Sequence, residues 1–105
     1  MNRGDVHLVR LDPALGSEIQ NTRPCVIVSP DELNAHLRTV VVAPLTTGGK
    51  AYPWRIRCRF QQRSVYVVLD QLRTVDRERL VKRLGTLPSQ TLAEVLAGLQ
   101  ETFAE

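Results

Sequence analysis

The sequence predicts a mainly β (α+β) fold, a small, strongly curved antiparallel sheet or half-barrel with short helices and a C-terminal amphipathic helix. Three observations support this prediction. Short β-branched runs recur along the chain between clusters of turn residues. The run Trp54–Phe60 alternates apolar and basic residues, which is typical of a strand with one covered face. The end of the chain repeats apolar residues at helical spacing. With 105 residues, we expect one domain spanning 1–105.

The first two predicted strands flank a polar loop. Asp5–Leu11 carries four apolar residues between a glycine and an Asp-Pro pair, which predicts a strand with punctuated ends. The loop Ala14–Thr22 is long for a connection between neighbouring strands, and such loops often cover a functional site. Cys25–Val28 is apolar and β-branched, which predicts a strand buried on both faces. Arg23 stands at its entrance, either as an ordinary surface arginine or as a holder of an anion.

A short helix and a third strand follow. We expect a helix over Pro30–Leu37, because Ser29 can cap it and Glu32 completes a capping box. Thr39–Leu45 is strongly β-branched and predicts the third strand. Pro44 near its end predicts an edge strand or a bulge, because proline cannot donate to a sheet ladder.

The next predicted strand, Trp54–Phe60, separates apolar and basic side chains onto two faces. The apolar face would carry Trp54, Ile56, Cys58 and Phe60, and the basic face Arg55, Arg57 and Arg59. The basic face is either an ordinary solvated face or a surface for phosphates or an acidic partner.

The last third of the chain predicts two strands, a turn and the terminal helix. Ser64–Leu69 is a β-rich run, Asp76 can cap a short turn, and Val81–Leu87 predicts an edge strand. Ser89 can cap the terminal helix, whose apolar stripe is predicted to face the core and consists of Leu92, Val95, Leu96, Leu99 and Phe103. Open strand edges of this kind are commonly covered by two-fold dimerisation.

Composition favours an acidic partner and a reducing compartment. The net charge is +3, and 12 of the 14 basic residues are arginine, which binds phosphate as a planar fork. Cys25 and Cys58 lie in apolar runs and are expected to be small buried hydrophobes. No cysteine and histidine spacing fits a metal, so we expect neither a metal nor a cofactor. The N-terminus lacks an apolar signal region and no run has membrane-spanning length, which favours the cytoplasm and no membrane partner.

A set of short segments, in one order and spacing, resembles a known family. They are Arg3-Gly4-Asp5-Val6, Leu11-Asp12-Pro13, Gly16-Ser17-Glu18, Thr22-Arg23-Pro24, Val26-Ile27-Val28-Ser29-Pro30, Asn34, Val42-Ala43-Pro44-Leu45-Thr46, Tyr52-Pro53 and Asp70-Gln71-Leu72-Arg73-Thr74-Val75-Asp76. Together they resemble the MazF/PemK family of toxin endoribonucleases (mRNA interferases). The chain departs from the family in the loop, where Ile19-Gln20-Asn21-Thr22 follows Glu18 in place of the usual glutamine and small residues.

The resemblance implies a half-barrel, a homodimer and a toxin of a toxin–antitoxin pair. It implies metal-free, sequence-specific cleavage of single-stranded RNA by 2′-hydroxyl attack, giving 2′,3′-cyclic phosphate and 5′-hydroxyl ends. It also implies neutralisation by a MazE-like antitoxin with an acidic, partly disordered tail. The arginine of the family's Arg-Pro motif and the threonine closing its Ala-Pro-x-Thr strand are catalytic, and these positions are Arg23 and Thr46 here.

The chemistry of such a cleavage assigns further candidates. Arg23 supplies charge to the non-bridging phosphate oxygens, and Thr46 can hydrogen-bond the phosphate. Glu18 is a candidate general base if the loop closes, or else an exposed loop carboxylate. Predicted RNA-binding residues are Ser17, Gln20, Thr47, Gln71 and Arg73, although Thr47, Gln71 and Arg73 have structural roles as alternatives. We expect His7 and His36 to be non-catalytic, since neither lies near this constellation in sequence.

The sequence also predicts one binding surface and leaves two alternative functions possible. The basic strand predicts an antitoxin-binding surface that includes Trp54, Arg55 and Arg57. One alternative function is a non-enzymatic, gyrase-poisoning toxin of the related CcdB type. That family depends on a terminal Trp-Gly-Ile, whereas this chain ends Thr102-Phe103-Ala104-Glu105. The other is a catalytically inactive RNA-binding module.

Overall fold

Seven antiparallel strands in one curled sheet form the body of the protein. The computed structural model describes residues 1–105. Its strands are β1 (Asp5–Arg10), β2 (Thr22–Ile27), β3 (Thr39–Thr46), β4 (Arg55–Phe60), β5 (Arg63–Val68), β6 (Arg73–Asp76) and β7 (Leu80–Thr86). Its helices are α1 (Asp31–His36), α2 (Ser89–Phe103) and two short 3₁₀ turns, Leu69–Gln71 and Arg77–Arg79. The predicted mainly β architecture is confirmed, while β6 was not among the predicted strands.

Strand β3 is the central strand and produces the curl. The strand order is β4-β5-β3-β2-β1-β7, and β6 also pairs with β3. One side of β3 pairs with β2, while the other side pairs first with β6 through Thr39–Val42 and then with β5 through Leu45 and Thr46. Of the two alternatives predicted from Pro44, an edge strand or a bulge, the edge strand is therefore wrong. Pro44 is tolerated in a central strand because it falls between the β6 and β5 segments, where that side of the ladder has no partner.

Two apolar clusters cover the faces of the sheet, and β2 contributes to both. Val26 and Val28 pack in the cluster beneath α2, while Cys25 and Ile27 pack in the other cluster. The prediction of a strand buried on both faces is confirmed. Burial raises the pKa of the Cys25 thiol to about 12, so this cysteine behaves as a small hydrophobe, as predicted.

The helix caps differ from the prediction. Pro30 precedes α1 and Pro88 precedes α2, and neither helix has a side-chain capping bond. Ser29 is buried, and its hydroxyl donates to the Asn34 amide oxygen at 2.5 Å and accepts from the Val41 N–H at 3.0 Å. The serine therefore ties α1 to β3 instead of capping it. The predicted cap at Asp76 is confirmed, because its carboxylate accepts from the Glu78 N–H at 2.9 Å.

Helix α2 packs on the sheet along part of its predicted stripe. Val95 is fully buried and Leu99 packs against the same cluster, but Phe103 is 72% exposed, so the stripe ends before it. Gly98 allows close approach, since a Cβ there would lie 2.7 Å from a Leu69 methyl group. Neither helix is long and apolar enough to span a membrane.

Two predictions for the basic strand are corrected. Trp54 precedes β4 in a turn, so the strand begins one residue later than predicted, and Trp54 lies beside Gly98 of α2. Its ring is 45% exposed and stacks on Tyr52 with centroids 5.0 Å apart. Arg55 is not solvent-facing, because its side chain is only 15% exposed and its Nε lies 3.4 Å from the Asp70 carboxylate. Arg57 and Arg59 remain on the exposed face.

Candidate active site

A groove at the end of β3 brings together the two residues predicted to be catalytic. This groove, which we call the Arg23 groove, has a volume of about 170 Å³. Its lining residues are Arg23, Pro24, Leu45, Thr46, Thr47, Phe60, Gln61, Arg63 and Val65. Two arginines and no carboxylate line it, so its charge favours an anion.

Strand pairing places Arg23 across from Thr46. Cys25 of β2 pairs with Pro44 of β3, and extending this antiparallel register by two residues puts Arg23 opposite Thr46. Directly opposed side chains on neighbouring strands lie close together. The buried part of β2 therefore delivers Arg23 to a fixed point.

Both side chains keep hydrogen-bonding capacity for a ligand. The Arg23 Nε donates to the Gln20 carbonyl at 3.1 Å, and its terminal nitrogens make no bond within the chain. The Thr46 hydroxyl oxygen accepts from the Gly48 N–H at 3.3 Å, which leaves its proton to donate. A fork of guanidinium N–H groups next to a hydroxyl donor fits a phosphate.

A second groove lies beside Pro44. This groove, which we call the Gln71 groove, has a volume of about 320 Å³ and is lined by Leu11, Glu18, Ile19, Pro44, Asp70, Gln71, Leu72 and Arg73. The Gln71 amide holds the polar loop at two points. Its oxygen accepts from the Ile19 N–H at 2.6 Å, and its nitrogen donates to the Ser17 carbonyl at 3.3 Å. An Arg73 terminal nitrogen donates to the Leu11 carbonyl at 3.0 Å.

The predicted site residues therefore divide between the two grooves. Arg23, Thr46 and Thr47 line the Arg23 groove, whereas Glu18 lines the Gln71 groove along with Gln71 and Arg73. The Glu18 carboxylate accepts from the Leu15 N–H at 2.5 Å, which closes a turn in the loop. The role of Glu18 as general base stays a prediction.

Ser17 and Gln20 lie in the loop that runs between the two grooves. Their backbone carbonyls accept hydrogen bonds, that of Ser17 from the Gln71 side chain and that of Gln20 from the Arg23 side chain. Both side chains are exposed, so they remain available as predicted RNA-binding groups.

The histidines line neither groove. Both ring nitrogens of His7 are buried without a hydrogen-bond partner. Burial lowers the pKa of His7, because desolvation disfavours its charged form. His36 ends α1 and is exposed.

Sequence reasoning missed Gln61 and Arg63, which also line the Arg23 groove. The available signal was the alternation of Arg63 with Val65 and Val67, which places its side chain on the inward side of β5. The predicted strand began one residue later, at Ser64, and so left this arginine in the turn.

The chain is similar to known toxins along almost its whole length. The family described as "PemK-like, MazF-like toxin of type II toxin-antitoxin system" matches residues 2–103. Endoribonuclease PemK of Escherichia coli is 38% identical over 105 residues, a match that covers 94% of this chain and 79% of that protein.

Solved structures agree with this match. A crystal structure of MazF from Deinococcus radiodurans has a TM-score of 0.86 at 27% identity and covers 97% of this chain and 94% of that one. A MazE–MazF crystal structure from the same organism has a TM-score of 0.77 at 25% identity, with the same two coverages. The predicted resemblance and fold are thus confirmed, and the chain belongs to the family of PemK-like, MazF-like toxins of type II toxin–antitoxin systems.

Proposed function

We propose that this protein is the endoribonuclease toxin of a toxin–antitoxin pair and that residues 1–105 form one toxin domain. Its substrate is single-stranded RNA, cut at short sequence motifs. The observation that supports this most directly is the position of Arg23 across from Thr46 in a groove lined by no carboxylate. Similarity to an endoribonuclease over most of the chain supports it independently.

The proposed reaction is an internal transfer at one phosphate. The 2′-oxygen attacks the adjacent phosphorus and loses its proton to a base, while the bond from phosphorus to the 5′-oxygen breaks and that oxygen takes a proton from water. The products are a 2′,3′-cyclic phosphate and a 5′-hydroxyl. Arg23 binds the non-bridging oxygens, whose negative charge grows in the transition state, and Thr46 orients the phosphate.

The Gln71 groove complements this site. We assign Glu18 as the base that takes the 2′-hydroxyl proton once RNA draws the loop towards the Arg23 groove. The bases flanking the cut contact the loop residues Ser17 and Gln20, along with Arg73 and Thr47. Hydrogen bonding to unstacked bases is the usual means by which proteins read single-stranded RNA.

The direct test is cleavage of a long RNA by the purified protein in EDTA. We expect cuts at a recurrent short motif, with 2′,3′-cyclic phosphate and 5′-hydroxyl ends detected by end-labelling and mass spectrometry. Dependence on added magnesium, or 5′-phosphate ends, would contradict the mechanism. An RNA that is bound but never cut would identify an inactive RNA-binding module. Inhibition of gyrase without any RNA cleavage would identify the CcdB-type alternative.

We further propose that the toxin is a cytoplasmic homodimer inhibited by an acidic antitoxin. The similar MazE–MazF structure supports an antitoxin partner, and the open sheet edges at β4 and β7 support dimerisation. Arg57 and the exposed Trp54 supply a cation and an apolar anchor for an acidic peptide. Arg55, bound to Asp70, contributes less than predicted. Two free thiols, Cys25 and Cys58, are consistent with a reducing compartment.

Arg57→Glu is expected to weaken antitoxin binding on the order of tenfold at low salt and to flatten its salt dependence. Titration at two salt concentrations measures this, and sedimentation of the same samples measures whether the free toxin has twice its 11.8 kDa chain mass. Equal affinities and salt slopes for both proteins would show that this face is only solvated. A single-chain mass would refute the dimer.

A further inference from the structure

One arginine differs from all the others in the molecule because its guanidinium has no partner. Eleven of the 12 arginines donate a side-chain hydrogen bond or lie in a salt bridge, and the exception is Arg63. No part of the chain therefore uses its charge or its N–H groups. An arginine side chain without a structural contact at a groove is available to a ligand.

Strand geometry places Arg63 on the face of the β4–β5 hairpin that is opposite to the exposed basic face. It pairs with Phe60 as the last pair of the β4–β5 hairpin. Side chains alternate along a strand, so Arg63 shares a face with Phe60 and Val65, while Arg57 and Arg59 lie on the opposite face. Thr46 pairs with Tyr66 and so lies on the other face of the sheet from Arg63, but both residues line the Arg23 groove. Arg63 adds a second positive charge to this groove.

The hairpin that carries Arg63 is fixed in place. Gln61 and Gln62 form a two-residue turn with φ of 50° and 64°, a conformation that L-residues adopt only under constraint. The Gln61 side-chain nitrogen donates to the Leu84 carbonyl at 3.3 Å, which ties the tip to β7. Phe60 packs so close to Gly85 that an added Cβ there would lie 3.3 Å from its ring. These contacts hold the base of the Arg63 side chain.

We propose that Arg63 binds an RNA backbone phosphate next to the one that Arg23 contacts, so that the two arginines of the groove hold consecutive phosphates. This inference rests on the proposed function. The charge of a neighbouring phosphate does not change during cleavage, so the contact stabilises substrate and transition state equally and lowers KM without raising kcat. Arg63 is thus a substrate-binding residue, distinct from the catalytic Arg23.

The test compares Arg63→Gln with Arg38→Gln, which removes the same charge from a residue that is 72% exposed and lines neither groove. For both variants, binding is measured over a series of salt concentrations with an RNA whose 2′-hydroxyl at the cut is replaced by hydrogen. Cleavage by both variants is measured with the natural RNA. For Arg63→Gln we expect the slope of log affinity against log salt to fall by about 0.7, the value for one phosphate contact to a single strand. KM should rise on the order of tenfold with kcat within about twofold of wild type.

The control variants make each outcome decisive. Arg63→Lys keeps a point charge and should retain the wild-type salt slope, while Arg38→Gln should match wild type throughout. If Arg63→Gln has the same slope and KM as Arg38→Gln, the inference is wrong although the wild type still cleaves RNA. If kcat falls while KM stays constant, Arg63 contacts the reacting phosphate and the neighbouring-phosphate assignment is wrong. A wild type that neither cleaves nor binds RNA would instead overturn the proposed function.

Discussion

The two grooves share strand β3 but use their polar groups in opposite ways. In the Arg23 groove, the arginines have no acidic neighbour, and most of their N–H groups make no bond within the chain. In the Gln71 groove, Glu18 and Asp70 offset the charge of Arg73. The Gln71 side-chain amide makes its hydrogen bonds to the backbone of the loop. Unused donors indicate a place for a ligand, whereas engaged donors indicate a device that fixes the chain.

This difference assigns separate tasks to the two grooves. The Arg23 groove is suited to phosphates, because its two exposed arginines present N–H groups that the chain leaves mostly unused and no carboxylate lines the groove. The Gln71 groove is built to hold the loop in position, since Gln71 lies in the turn after β5 and reaches back to residues before β2. Phosphate binding and loop placement should therefore be separable by mutation.

The largest effect is expected at the Arg23 groove. Arg23→Ala and Thr46→Ala should each lower kcat on the order of 10²–10³-fold, because each removes a preorganised contact to charge that develops in the transition state. Arg23→Lys should also fail, because a point charge cannot reproduce the planar fork. Single-turnover cleavage measures these rates.

Thermal unfolding provides the control for these variants. Arg23 is exposed and Thr46 half-buried, so their removal should leave the melting temperature almost unchanged. Near-wild-type cleavage by Arg23→Lys would show that only charge matters and that the assigned role of the fork is wrong.

A smaller effect is expected at the Gln71 groove. Gln71→Leu leaves the Ile19 N–H without its acceptor, so amide exchange in the loop should become faster, on the order of tenfold. Because a mobile loop loses more conformational freedom when RNA draws Glu18 and Ser17 towards the Arg23 groove, kcat/KM should fall about tenfold and the preference for one RNA motif should weaken. Hydrogen exchange and cleavage of a mixed RNA pool measure the two effects.

Gln71→Glu separates the two bonds. It keeps an acceptor for the Ile19 N–H but loses the donor to the Ser17 carbonyl, so its exchange should lie between that of wild type and Gln71→Leu. If amide hydrogen exchange in the loop is unchanged in both variants, the proposal that the Gln71 groove positions the loop is wrong. RNA binding by Gln71 would then be the better interpretation.

Local patterns in the sequence predicted much of this structure. The apolar run Cys25–Val28 identifies a doubly buried strand without reference to anything distant. The register that brings Arg23 across from Thr46 is a contact between two strands, and only the structure shows it. The family motifs supplied the pair itself. The prediction of the buried strand succeeded because adjacent residues contain the information on which it depends.

The remaining features depend on contacts between distant parts of the chain. Glu18 lies in a different groove from Arg23 because Gln71, far along the sequence, holds the loop there. Ser29 has the local pattern of a helix cap, but its hydroxyl is used by β3. The local alternation with Val65 places Arg63 on the inward side of β5, but no local pattern shows that its guanidinium has no partner within the chain.

The smallest effect concerns the backbone beside each groove. Gln62 holds a φ of 64° in the hairpin turn, and Asn21 holds a φ of 69° in the loop. Asparagine tolerates a positive φ, whereas for other side chains this conformation costs about 1–2 kcal/mol of folding free energy. Glycine avoids this cost, but ordering its more flexible unfolded chain costs about 0.5–1 kcal/mol. Gln62→Gly should therefore raise the free energy of unfolding by about 0.5–1 kcal/mol, and Asn21→Gly should change it by less.

Urea unfolding of wild type and the two variants measures the changes in the free energy of unfolding. Cleavage by Gln62→Gly should stay at the wild-type rate, because Gln62 lines neither groove. Gln62→Asn is the intermediate case and should gain about half as much. A loss of stability in Gln62→Gly would show that the Gln62 side chain holds the tip. In that case the position of Arg63 would depend on a contact of Gln62, not on the turn geometry and the anchoring bond of Gln61 to β7.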